Sequence, residues 1–346
     1  MALTLITGAP GWIGTRLVRT LLGDGLEAPA GESRLRCLLL PGVDGSALPT
    51  SDRLEIVRGD LRDQGAAAAF CRDSEGATLF HCAGIVHPAR FVREFWQVNV
   101  LGTQHLLRAA EQAGVRRVIA LSSNSPAGNN PSRAHRFDER SPYHPYMSYG
   151  RSKMLMEQSI REAQDRGKLE TVILRPTWFY GPDQPARQTT FFRMIQDGRA
   201  PIVGDGENLR SMTYIDNLCQ AMLLAEQSPM ANGRTYWIAD HRPYSMNEIV
   251  NTVERLMESE FGLRVAHKRL KLPAFAGDLA QVCDLILQKT GLYQQKIHVL
   301  GEMNKTIACS IAKAEQELGY APAVELEEGM RRSLAWCLAH QVLPGG

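Results

Sequence analysis

Short, uniformly apolar runs alternate with longer segments of helical period through the first half of the chain. Residues 2–6, 35–40, 54–57, 78–82, 118–121 and 171–174 predict strands, and their even apolarity predicts burial on both faces, as in a parallel sheet. Between them, residues 13–22 place Leu17, Val18, Leu21 and Leu22 on one helical face. Residues 95–113 set Val98, Leu101, His105, Leu106 and Ala109 at helical spacing. Strand–helix alternation of this kind predicts an α/β fold with a doubly wound parallel sheet.

After Arg175 and Pro176 the rhythm loosens, and a clear alternation returns only at residues 235–238. A helix follows, opened by Ser245 with Glu248 three positions on, the spacing of a capping box. The chain therefore divides into a domain over residues 1–176, completed by 212–240, and a smaller, less regular region over 177–346. Ligands of such sheets bind beyond the carboxyl ends of the strands, so the later region is expected to fold over those ends and close a site. The apolar stretch 272–287 contains Asp278 and Asp284 and reads as an ordinary packed helix, with a lid helix or a membrane-facing patch as alternatives.

Composition narrows the picture. A chain of 346 residues, 44% hydrophobic, can bury one or two cores, which excludes disordered and fibrous classes. Lys plus Arg number 39 and Asp plus Glu 37, so the net charge of +2 gives no bulk attraction to nucleic acid or to a membrane surface. The seven cysteines are scattered, with no CxxC pair, as expected of a reduced, cytoplasmic protein. No run approaches the roughly 18–20 apolar residues of a membrane span, so no membrane insertion is expected. The first strand runs straight into a glycine turn, leaving no room for a signal peptide. None of the nine histidines has a metal-binding spacing, so no metal is expected.

That turn carries Gly8, Gly11 and Gly14 between the first strand and the first helix. The first glycine permits the tight turn, the second lets backbone approach a pyrophosphate, and the third lets helix pack on strand, while the helix N-terminus offers free N–H groups to phosphates. The reading is a dinucleotide site for NAD or NADP. No acid ends the second strand, where Leu40 and Pro41 stand, so the two cofactors are not separated. Asp60, after the third strand, is placed to accept from an adenine amino group, or else lies in a solvated turn.

Tyr149 and Lys153 lie at i and i+4, on one face if the segment is helical, and Ser122–Ser123 end a buried strand some 26 residues earlier. With these residues the chain resembles the short-chain dehydrogenase/reductase superfamily, in its extended branch of nucleotide-sugar epimerases, dehydratases and 3β-hydroxysteroid-type dehydrogenases. The resemblance covers nearly the whole chain: the glycine turn, Gly59-Asp60-Leu61, His81 to Gly84, Asn99 to Thr103, Ser122-Ser123, Tyr149 with Lys153, and Arg175-Pro176 with Tyr180-Gly181-Pro182, in the family's order and spacing. It implies Tyr149 as acid/base, Lys153 lowering the tyrosine's pKa and binding the nicotinamide ribose, Ser123 (with Ser122 as fallback) holding the substrate oxygen, and Asn99 supporting the site. It also implies cofactor contacts from Gly8, Gly11, Trp12, Ile13, Gly14, Asp60, Leu61, Ala83, Gly84, Lys153 and Pro176.

On the substrate the resemblance divides. Arg210 matches the arginine that nucleotide-sugar enzymes place on the substrate diphosphate, whereas Trp178 and Phe179 stand where many of them carry asparagine, and Thr213 to Asn217 look like the steroid-dehydrogenase version. His87 and Ser125 are further candidates for the pocket. The expected function is NAD(P)-dependent interconversion of a secondary alcohol and a ketone on a small-molecule substrate. A nucleotide-sugar 4-epimerase and a non-catalytic NAD(P) sensor are the alternatives, and a homodimer is the assembly to consider.

Overall fold

The computed structural model describes residues 2–23 and 33–343. Its first half alternates strand and helix: β1 (Leu3–Thr7), α1 (Trp12–Leu22), β2 (Arg34–Leu39), β3 (Leu54–Arg58), α2 (Gln64–Phe70), β4 (Thr78–His81), a π-helix over Phe95–Gly102 continuing into α3 (Thr103–Gln112), β5 (Arg117–Leu121), α4 (Met147–Asp165) and β6 (Glu170–Pro176). The second half holds β7 (Trp178–Tyr180), α5 (Ala186–Gln196), β8 (Pro201–Val203), β9 (Leu209–Arg210), β10 (Met212–Tyr214), α6 (Ile215–Gln227), β11 (Arg234–Ile238), β12 (Tyr244–Ser245) and α7 (Met246–Ser259). It ends with β13 (Leu270–Leu272), α8 (Ala274–Lys289), α9 (Gln295–Glu302), α10 (Ala312–Leu318) and α11 (Leu326–Ala339).

Seven strands form one parallel sheet in the order β11-β6-β5-β4-β1-β2-β3. Alternate residues of each central strand enter cores on opposite faces. Ile6, Phe80 and Ile119 pack with Leu17 of α1 and Met222 of α6, whereas Leu5, Leu79 and Val118 pack with Leu106 of α3 and Met156 of α4. Two buried faces explain the near-continuous apolar runs of these strands. The expectation of burial fails at β3. It is an edge strand, with no residue fully buried and Ile56 42% exposed, because nothing pairs its outer side.

Local chemistry sets the element ends. Gly23, at φ 87°, closes α1 in the left-handed conformation open to glycine. Asp63 accepts from Gly65 N to cap α2, and Ser245 accepts from Glu248 N to cap α7. The Glu248 carboxylate does not complete the box but pairs with Arg242. At the other edge of the molecule, buried Arg117 donates to the carbonyls of Ala225, Glu226 and Ser228, satisfying the last turn of α6. Two further expectations are revised. The helix predicted over 95–113 begins as eight residues of π-helix, and the stretch 272–287 is no ordinary packed helix, since α8 leaves its apolar face exposed.

Candidate active site

A cleft of about 420 Å³ opens at the carboxyl ends of β1, β2, β3 and β4, lined by Gly8, Gly11, Asp60, Leu61, Ala83 and Gly84 among others. Gly8 has φ +87°, and a Cβ there would lie 2.6 Å from the carbonyl carbon of Cys82. A Cβ on Gly14 would lie 2.6 Å, and one on Gly11 2.7 Å, from the carbonyl oxygen of Gly8. The middle glycine is thus demanded by the turn itself, before any pyrophosphate approaches. Gly11 is the N-cap of α1 and supplies no capping side chain, so the first N–H groups of the helix remain available to a ligand. A glycine cradle at an uncapped helix start suits a dinucleotide pyrophosphate. Asp60 sits at the far wall, held below the usual carboxylate range by the hydrogen-bonded guanidinium of Arg62.

Not every expected cofactor residue lines this cleft. Ile13 is buried in the core, and Gly14 serves helix–strand packing. Trp12 turns its ring away: its indole N–H donates to Pro182 O at 2.6 Å and its edge meets Phe179. Pro176 ends β6 opposite Ile238 of β11. Lys153 lies beyond Gly84, where a Cβ would be 3.3 Å from Asn99 Oδ1 and 3.4 Å from Lys153 Nζ, so a side chain there would crowd these groups.

Around that point the structure gathers Asn99, Ser123, Tyr149 and Lys153. The Asn99 amide, fully buried on the π-helix, accepts from Ile85 N at 2.8 Å and donates to Ile85 O and to Ser152 Oγ, both at 3.0 Å. It ties the loop after β4 to the first turns of α4. Gly150 brings α4 close to the loop after β5: a Cβ there would meet Ser125 O at 2.5 Å. The neighbouring serines diverge. Ser122 donates to Glu157 Oε1 at 2.6 Å, leaving Ser123 as the hydroxyl that draws the Tyr149 phenol down; buried Ser125 lies 3.3 Å from Ser123 Oγ.

Tyr149 is 8% exposed, and burial pushes its phenol up to about 12 against the opposing pull of Ser123. Lys153 does not bond to it: Nζ donates to Leu121 O at 2.7 Å, and burial pulls the ammonium down to about 8, with Glu157 opposing. The expected direct lowering of the tyrosine by this lysine is therefore not made in this arrangement. Behind them Glu157 accepts from Ser122, from Tyr143 at 2.6 Å and from Arg175 at 2.9 and 2.7 Å. Burial works against its ionisation, but the Arg175 guanidinium outweighs this and holds the carboxyl below its ordinary range.

The roof comes from the C-terminal region. Tyr293 packs with Phe95 and Tyr149, and its hydroxyl lies 2.5 Å from His87 Nδ1; burial and the charge of Arg187 pull His87 down to about 4. His298 Nδ1 lies 2.7 Å from Asp284, and its ring faces those of Tyr293, Tyr146 and His87. Arg210 is half-buried. It donates to Glu302 O, while its Nε and the nearby hydroxyl of Tyr146 are buried without partners. Trp178 is tied to α5, its indole N–H on Gln188 Oε1 at 3.3 Å and its edge against Phe191.

This geometry meets an independent match. The model of the NAD dependent epimerase/dehydratase family fits residues 4–239. The chain belongs to that family. It is 49% identical over 340 residues to the uncharacterized protein y4nL of Sinorhizobium fredii, covering 97% of this chain and 95% of that one. It is 28% identical over 310 residues to 3beta-hydroxysteroid-dehydrogenase/decarboxylase isoform 1 of Arabidopsis thaliana, covering 85% of this chain and 69% of that protein. Among solved structures, the DesIV double mutant (dTDP-glucose 4,6-dehydratase) of Streptomyces venezuelae, with NAD and DAU bound, superposes with a TM-score of 0.75 at 26% identity, covering 99% and 98% of the two chains. Family membership agrees with the extended short-chain resemblance and with a parallel, doubly wound sheet.

Several residues around this candidate site escaped sequence reasoning. Glu157 stands four positions after Lys153 and could have been read as the next residue on the same helical face. Tyr293 carries no such signal, since it meets His87 across 206 positions, and the Asp284–His298 contact joins two helices whose pairing no local period marks. Arg187 opens α5 and forms no hydrogen bond or ion pair among the described residues, although its charge acts on Tyr149 and Tyr293. No motif marks it.

Proposed function

We propose that the protein catalyses NAD(P)-dependent hydride transfer at a carbinol carbon, interconverting a secondary alcohol and a ketone. The observation that supports this most is the diversion of Ser122 to Glu157, which leaves Ser123 as the hydroxyl acting on the buried Tyr149 phenol. Bound NAD(P), cradled by Gly8, Gly11 and the start of α1, supplies the hydride acceptor or donor. Ser123 Oγ holds the substrate oxygen, and Tyr149 Oη exchanges the proton with it. With its phenol raised to about 12, Tyr149 rests protonated at neutral pH and is ready to donate in the ketone-reducing direction. For alcohol oxidation it must first lose that proton, which the Ser123 hydroxyl and the charge of Arg187 favour. Asn99 fixes the Gly84–Ile85 loop against α4 while this happens.

A second reading is supported by Arg210. A half-buried guanidinium with its Nε buried and unpartnered among the described residues suits a dianionic group, and a sugar diphosphate is a ligand that places such a group beside an oxidisable carbinol. In that case the ketone is not released but reduced again on its other face, giving 4-epimerisation. Incubation with NAD or NADP and a panel of hydroxysteroids and sugar diphosphates separates the two. Net reduction of the cofactor supports the dehydrogenase, and inversion at C4 without net reduction supports the epimerase. Absence of both with every substrate, although the cofactor binds, would overturn hydride transfer in favour of a non-catalytic binder.

A further inference from the structure

Helix α8 is amphipathic the wrong way round for a helix packed on a protein core. Its inward face carries Gly277, Asp284 and Gln288: Asp284 is held by His298 and by Gln288 Nε2 at 2.9 Å, and Gln288 Oε1 accepts from Ser148 N at 3.0 Å in the first turn of α4. Its outward face, at i, i+4, i+7 and i+11, carries Phe275, Leu279, Val282 and Ile286, which are 68%, 59%, 52% and 59% exposed. An apolar stripe turned to water over about three turns marks a surface made to meet something else.

The charges around the stripe say what. Residues 261–301 hold six Lys or Arg against two Asp, although the whole chain is only +2. Both aspartates are neutralised, Asp284 by His298 and Asp278 by Lys305. Exposed Lys271 stands just before the helix and exposed Lys289 ends it. Beside that end, Tyr293 N donates to Arg90 O at 2.8 Å and Val92 N to Gly291 O at 3.1 Å, which brings exposed Arg90 and Arg93 alongside Lys289. We propose that α8 lies on the surface of an anionic lipid bilayer, its stripe in the boundary between headgroups and acyl chains and its basic ends on lipid phosphates.

A second copy of the chain fits this face poorly. Sixteen helical residues present a strip about 24 Å long and about 10 Å wide, or about 240 Å², well short of the ~800 Å² per partner of a stable interface. A two-fold pairing would also set the basic ends of two helices against each other. Nor does α8 cross the bilayer, since no helix of the described residues is long and apolar enough to do so. Because Asp284 and Gln288 tie α8 to His298 and α4, docking would turn the roof of the catalytic site towards the lipid.

Flotation of the full chain with phosphatidylcholine vesicles, with and without phosphatidylglycerol, tests this without reference to any reaction. Co-flotation with the anionic vesicles is expected, lost in the double variant Phe275→Glu/Ile286→Glu and weakened about 10-fold or more in Lys271→Glu/Lys289→Glu. Circular dichroism and NAD binding should match the parent, since all four side chains are exposed. Failure of the parent to float at millimolar phosphatidylglycerol, or flotation indifferent to both double variants, would overturn the proposal. So would a parent dimer in light scattering that Phe275→Glu/Ile286→Glu converts to monomer, which would assign the face to a second copy.

Discussion

The floor and the roof of the catalytic site are built on opposite principles. On the floor, polar groups are closed into hydrogen bonds: His81, pulled by burial to about 3 and so neutral, has Thr7 Oγ1 at 2.8 Å on one nitrogen and Thr103 Oγ1 at 2.9 Å on the other, and Asn99 makes three bonds. On the roof, Tyr146 Oη, Arg210 Nε and Asp284 Oδ1 are buried and unpartnered. A buried polar atom without a partner costs about 1–3 kcal/mol, so these atoms mark where a polar ligand would gain most.

The comparison can be broken first at the floor. Tyr149→Phe should lose about 100-fold or more in turnover on any confirmed carbinol or ketone while calorimetric NAD(P) affinity stays within about two-fold, the scale of a positioned acid/base group. Equal turnover would mean the proton passes elsewhere. Next, Asn99→Leu strands the Ile85 N–H and C=O, while the Ser152 hydroxyl keeps its bond to Tyr149 O, and should cost about 3 kcal/mol in urea unfolding. A loss below about 1 kcal/mol would mean that the clamp is replaced by solvent.

At the roof, Arg210→Ala should weaken competition by free UDP about 10- to 100-fold, the value of a charged hydrogen bond, and leave an uncharged substrate unaffected. An equal loss for both would make the arginine a packing residue. A last expected effect is on pH dependence. The Lys153 ammonium has its pKa drawn by burial from its ordinary 10.5 to about 8, so between those values the unfolded chain binds more protons than the folded one. This lysine's burial penalty is fully present below pH 8 and is relieved as pH rises to 10.5. Plotted against pH, the melting temperature of the parent minus that of Lys153→Met should therefore climb across that window; a flat difference would mean the lysine is not buried as a cation.

How far the sequence reached follows the same division. The floor was legible because buried parallel strands are unbroken apolar runs and because its glycines serve contacts within a few residues or at strand ends. Two details there were hidden. The 3.6- and 4.4-residue periods cannot be told apart over eight residues, so the π-helix holding Asn99 read as α, and an edge strand such as β3 is nearly as apolar as an interior one. Choosing between Ser122 and Ser123 needed the position of Glu157, 35 residues away. The roof was scarcely legible at all. Tyr293 meets His87 across 206 positions and Arg210 meets Glu302 across 92, and contacts that distant leave no local period in the chain.

The sheet order sets a schedule for synthesis. Strand β6 is complete at Pro176, but its outer neighbour β11 begins only at Arg234, so residues 177–233 must be made before that edge is covered. At about 5–20 residues per second the nascent chain carries an open, apolar strand edge for about 3–12 s. Cutting the chain after Pro176 would make that interval permanent, and a fragment ending there should aggregate where one ending beyond Asp240 stays in solution.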